Sequence, residues 1–203
     1  MPPGYTAFFL WVASAVLWWS GWREETADGI PDYAVAVFLA GWPLAAWLEL
    51  PAGGHATVGG AFVWTALAVF ALAWRMESPA RWTAWSAGFL LGSLMLILTI
   101  SPWLSIRLPE EMHGRAAGAL TGAASTLLVP GAAGQVAAVT LAMSIPDLWR
   151  AGWLQAGGRL IGSGRWMESW WIAVLTARSL SVLAAFARRN VVSFGWRKGR
   201  ESP

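Results

Sequence analysis

Apolar residues run along this chain in long unbroken blocks, separated by short polar or Gly/Pro-rich breaks. The blocks lie at 4–22, 33–50, 58–74, 82 to about 106, and 169–187. Blocks of this length predict membrane-crossing helices, and none shows the period-2 alternation of a transmembrane barrel strand. Pro43 sits inside the second block and predicts a kink there, while Asp32 stands where a helix N-cap belongs. Residues 150–168 carry three Arg, two Trp and several Gly, and read as an irregular segment along the membrane interface.

The stretch from Gly114 to Asp147 departs from this pattern. Its two apolar halves, 116–129 and 131–146, cover roughly 21 and 24 Å at helical rise, against a hydrocarbon core of about 30 Å. Pro130-Gly131 breaks them apart. The expectation is a tight hairpin of two short helices that either just span or re-enter. Gly114, Gly118 and Gly122 recur every four residues and line one helix face, a small-xxx-small pattern that lets helices approach closely in lipid. The predicted fold is therefore an all-α polytopic transmembrane bundle of six or seven helices with a broken or hairpin element near 114–147. Residues 1–187 form a single transmembrane domain and 188–203 a basic cytoplasmic tail.

Composition agrees with that picture. The chain is 57% hydrophobic and 12% charged, half the charged content of ordinary soluble domains. Many of its 17 Trp sit at block ends, among them Trp18, Trp19, Trp22, Trp74, Trp82, Trp103, Trp149, Trp170 and Trp171, as an aromatic belt does. The absence of Cys excludes disulfides, thiol catalysis and thiolate metal sites. No basic residue precedes the first block, so it reads as a retained span and not a secretory signal.

Positive charge sets the expected threading. With the hairpin counted as an even number of crossings, Arg23, Arg75, Arg81 and the five tail residues Arg188, Arg189, Arg197, Lys198 and Arg200 share one side. Arg107, Arg115, Arg150, Arg159 and Arg165 take the other. That places the N-terminus outside and the C-terminus in the cytoplasm, in a multi-pass cell-membrane protein. The tail is suited to an anionic inner leaflet, and the bilayer is the expected partner; nucleic acid is not.

Few residues offer chemistry. Arg178 is the tenth residue of the last block, costly in a bilayer centre and expected to face the bundle interior. It reads as an anion-binding or gating residue, as half of an ion pair with Asp147 or Glu49 that fixes helix order, or as a side chain that snorkels outward. Gln135 reads as a cross-helix hydrogen bonder and Asp147 as an interfacial residue paired with Arg150. Glu110 and His113 have the i, i+3 spacing of di-metal carboxylate proteins, but only one copy is present and His55 lies far off in a Gly-rich loop. The Gly-rich run 157–165 lacks the strand and Gly-Lys-Ser/Thr of a phosphate cradle. No catalytic, cofactor or metal constellation results, and no enzyme is expected. The function these residues favour is a structural or accessory membrane component that pairs with another membrane protein or a second copy through the Gly114, Gly118 and Gly122 face. The alternative is a small-solute or ion transporter or channel with an intramembrane Arg178 site, although no internal repeat supports it.

Several dispersed features together resemble the YphA-type family of small bacterial integral membrane proteins. They are Ser20-Gly21-Trp22-Arg23, Gly53-Gly54, Gly60-Ala61-Phe62, Gln135, Thr140-Leu141, Asp147, Trp170-Trp171 and Thr176-Ala177-Arg178. The resemblance implies a bacterial cytoplasmic membrane protein in which Arg178 is a regular feature, and it implies no catalytic residues.

Overall fold

The computed structural model describes residues 4–23, 27–52, 57–100, 110–153 and 160–198, with the backbone alone at 110–113, 152–153 and 189–198. Seven helices lie among them: α1 Tyr5–Trp19, α2 Asp32–Ala46, α3 Gly60–Arg75, α4 Ser78–Ile100, α5 Glu110–Leu128, α6 Ala132–Trp153 and α7 Gly164–Lys198. The chain is thus an all-α bundle. Helix α4 and the Gly164–Arg188 part of α7 are long and apolar enough to cross a membrane; α1, α2 and α3 are apolar but shorter. Asp32 is the first helical residue of α2 and not its cap, and its carboxylate lies 3.8 Å from Arg23. Both Pro43 and Pro146 are carried inside helices.

A small sheet, absent from the sequence expectations, closes one end. Strand β1 (Glu49–Pro51) pairs antiparallel with β2 (Thr57–Gly59), and β2 pairs parallel with β3 (Leu160–Ile161). Strands of two and three residues are too short to leave a period-2 signature. We call this the sheet end. The opposite, turn end carries the α1–α2 connection, the α3–α4 link and the Val129-Pro130-Gly131 turn.

That turn falls where Pro130-Gly131 predicts it. Gly131 adopts φ +79, which an L side chain would resist, and α5 and α6 stop on either side of it. The two helices do not form the expected tight hairpin along their length. Instead α5 packs on α7, and α6 on α4, the two most extensive pairings in the bundle. Both pairs are parallel. Gly118 and Gly122 meet Ser169 and Ala173 in one, and Gly88 and Gly92 meet Ala138 and Ala142 in the other. Each pair is therefore separated in sequence by a helix of the other pair.

Helix α6 is the central element, with Ala132, Gln135, Ala138, Val139, Thr140 and Ala142 all buried. Surrounded by protein, it needs close approach more than greasiness, which accounts for its small residues and modest apolarity. An aromatic cluster fills the space between α2, α3 and α7. Phe38, Trp42, Trp170 and Trp171 contact one another edge-on or tilted, and Phe62 and Trp166 extend the cluster toward the sheet end. Trp170 and Trp171 are thus core residues, 2% and 3% exposed, and not members of an outer belt. Trp19, Trp22, Trp74, Trp82 and Trp149 are exposed near helix ends.

Candidate functional site

The polar cluster of the bundle begins with an unfinished helix end. Helix α5 stops at Leu128, and carbonyls of its last turn have no amide four residues on. Gln135, on the first turn of α6, donates from Nε2 to Val129 O at 3.1 Å. The same amide faces α7. Ser181 Oγ lies 2.9 Å from Gln135 Nε2 and 3.1 Å from its Oε1, and Arg178 Nη1 donates to Oε1 at 3.2 Å. One side chain, 3% exposed, therefore ties α5, α6 and α7 together.

Arg178 is 7% exposed and turns inward, but at a different height than the sequence implies. Helix α7 begins at Gly164 and not at 169, so Arg178 lies about 21 Å along the helix, level with the turn end. The Gly/Arg-rich composition of 157–165 hides that early start. Its Coulombic neighbour is Asp28, in the left-handed turn between α1 and α2. The anticipated carboxylates are elsewhere. Asp147 accepts a hydrogen bond from Gly162 N at 3.1 Å, joining α6 to the strand that leads into α7. Glu49 is exposed in β1, paired across the sheet with Gly59. Both sit at the sheet end, so neither is the partner of Arg178, whose Nη1 donates to Gln135.

A cavity of about 500 Å³ opens beside this cluster, among α1, α2, α3, α6 and α7. Its walls are apolar, with Leu17, Val37, Leu67, Leu72 and Val174 among them. Arg178 lines it, as do Arg75 and Tyr33, whose hydroxyl accepts from the Arg75 guanidinium. Cationic groups thus gather at the turn end of an otherwise greasy cleft.

The Gly114, Gly118 and Gly122 face is occupied within the chain. A Cβ on Gly118 would lie 2.5 Å from Ser169 O, and one on Gly122 would collide with Ala173 O. Thr126 Oγ1 continues the seam, bonding Ala177 O at 3.2 Å. The face expected to recruit another protein is therefore covered by α7. The matching seam of Gly88 and Gly92 escaped the sequence reading, although its GxxxG spacing was there to find.

Glu168, the last residue of the expected irregular segment, belongs instead to a helix. It is 8% exposed on the second turn of α7. Its Oε1 accepts from Gly4 N at 3.0 Å and Thr6 N at 3.3 Å, capping α1 from another helix, and its Oε2 lies 3.5 Å from Arg115. Glu168→Ala leaves two first-turn amides without their acceptor and is expected to cost about 1–3 kcal/mol. Arg115→Gln removes only a half-exposed pair and should cost under about 1 kcal/mol. Thermal unfolding of the two variants in detergent checks the order, and equal midpoints would remove the cap from the account.

Other expectations fall outside the described residues: Gly53, Gly54, His55, Trp103, Arg107, Arg159 and Arg200, and the side chains of Glu110, Glu111, His113, Arg189, Arg197 and Lys198. The backbone at Glu110 opens α5 and is not a loop, and α7 continues through Lys198 where a separate tail was expected. Among the described residues no group of three His, Asp or Glu comes together to hold a metal ion. No protein-family model, curated protein or solved structure matches the chain.

Proposed function

We propose that this is a multi-pass protein of a bacterial cell membrane, similar to the YphA-type family, and that its role is structural or accessory. The observation that carries the reading is the inverted distribution of polarity. Leu44, Phe70, Leu90, Ile97, Leu127 and Phe186 point outward, each more than half exposed, while Thr121, Ser125, Gln135, Thr140 and Ser144 are buried. A soluble surface does not spread large apolar side chains over every helix, whereas lipid requires it. The buried hydroxyls are spent on helix carbonyls: Thr121 on Ala117, Ser125 on Gly122, Thr140 on Val136 and Ser144 on Thr140. Such bonds fix packing and leave no polar file through α5 and α6, which favours a scaffold over a conduit. The transporter reading draws on Arg178 beside the cleft; flux in liposomes that Arg178→Gln abolishes would favour it.

The short helices α1, α2 and α3 cover about 22–24 Å each. Flanking Trp residues and local bilayer thinning accommodate such mismatch at modest cost. The level of Arg178 at the turn end adds one more positive charge to the side that already holds Arg23, Arg75, Arg81 and the tail, in keeping with a cytoplasmic turn end.

The lack of Cys makes the threading directly measurable. In intact cells, a membrane-impermeant maleimide is expected to label Ala52→Cys at the exposed sheet end and to spare Ser78→Cys at the exposed turn end until the cells are opened. Labelling of both in intact cells, or the reverse pattern, would overturn the proposed orientation.

A further inference from the structure

We propose that the cleft among α1, α2, α3, α6 and α7 binds one acyl chain of an anionic phospholipid, with the headgroup phosphate held by Arg75 and Arg178. The inference rests on the membrane reading above and names the ligand of that same cleft. Three observations converge on it. The cavity, about 500 Å³, falls in the size range of built ligand sites. Its lining is apolar from Leu17 and Val37 through Leu67 and Val174, as a hydrocarbon tail requires. Its charged groups are gathered at one end, where Arg178 and Arg75 stand with the Tyr33 hydroxyl; the Ser14 hydroxyl, also in the lining, is spent on Leu10 O.

The two arginines are held differently, and both arrangements suit an anion. Gln135 fixes the Arg178 guanidinium at the cleft wall through Nη1, so the group is oriented before any ligand arrives. Arg75 ends α3, bonds the Tyr33 hydroxyl and lies 5.6 Å from the centre of the Tyr33 ring, which keeps it at the cleft rim. Guanidinium is the side chain best matched to phosphate, since its planar fork presents parallel N–H donors. The turn end is also the end at which the chain's basic residues collect, and therefore the end that meets the anionic leaflet. A neutral zwitterionic lipid offers the same tail but less net charge for these groups.

The full-length chain purified in a maltoside detergent tests this. Binding of phosphatidylglycerol, phosphatidylcholine and inorganic phosphate is read by native mass spectrometry and by the shift in thermal midpoint. Phosphatidylglycerol is expected to bind about tenfold or more tightly than phosphatidylcholine, and inorganic phosphate alone to give no shift. Arg75→Gln should lose about tenfold in phosphatidylglycerol affinity, the scale of one charge-assisted hydrogen bond, whereas Arg81→Gln, at the same end but off the cleft, should lose none. Ala71→Trp, which fills the cleft, should weaken both lipids; if it fails to fold, Leu67→Phe serves the same purpose. Equal binding of the two lipids, binding of free phosphate with the same affinity, or indifference to both cleft-filling variants would each overturn the proposal. Failure of the maleimide pattern with retained, Arg75-dependent lipid binding would instead overturn the threading and leave the cleft's ligand standing.

Discussion

Gly122→Ala is expected to lower the thermal midpoint of the detergent-solubilised protein more than any other single methyl insertion in the α5–α7 seam. A Cβ at this position lands on the Ala173 carbonyl, with Thr176 Cβ 3.0 Å away. Backbone cannot rotate aside as a side chain does, so α5 and α7 must separate along their most extensive contact. Overpacking of a rigid core costs about 1–3 kcal/mol or more, and this case belongs at the upper end. Gly118→Ala meets Ser169 O and should follow closely. Gly114→Ala meets only Ser169 Oγ at 3.0 Å, a hydroxyl that can turn away, and should fall within about 1 kcal/mol of the parent. The gradient along one stripe is its own control. Equal tolerance at all three positions would mean that the helices do not approach as closely as their backbones imply.

Gln135→Leu is expected to cost about 2–4 kcal/mol, because it removes one hydrogen-bond partner from each of three groups: the Val129 carbonyl, the Ser181 hydroxyl and the Arg178 guanidinium. Removing the cation as well should relieve part of that loss. Gln135→Leu combined with Arg178→Leu is expected to be less destabilised than the sum of the single variants by about 1 kcal/mol or more. Equilibrium unfolding of the four proteins in mixed micelles measures the coupling. Strict additivity would show that Arg178 gains little from Gln135 and is held by other neighbours.

These two clusters were unequally visible in the amino-acid sequence. The Pro130-Gly131 break and the Gly114, Gly118 and Gly122 face were legible because both follow from local chemistry: a missing amide, a missing Cβ and a four-residue spacing. What that face packs on was not legible. A small-residue stripe is equally suited to a partner protein and to another helix of the same chain, and only the fold selects α7. Arg178 was legible as an anomaly, and Gln135 as a hydrogen bonder, but not their meeting across 43 positions. The carboxylates the sequence offered for it, Asp147 and Glu49, lie at the other end of the bundle, a placement that only the fold decides. Trp170 and Trp171 illustrate the same limit. A Trp at the end of an apolar block looks alike whether it meets headgroups or Phe38, and the start of α7 decides which. The small sheet left no periodic trace because its strands are two or three residues long.

The interleaving of the two glycine seams has a consequence for biogenesis. On the proposed membrane reading, as the chain emerges from N- to C-terminus, α4 enters the bilayer before its mate α6 exists, and α5 enters before α7. During that interval Gly88, Gly92, Gly118 and Gly122 present bare backbone to lipid, with nothing in lipid to replace the contacts they make in the finished bundle. A ribosome stalled after α6 would release a chain with one seam closed and the other open. The last of these seven helices is the one that completes α5, caps α1 through Glu168 and meets Gln135 through Arg178. The seams therefore close in two steps, and quality control that recognises unsealed helix faces must await the second, the arrival of α7.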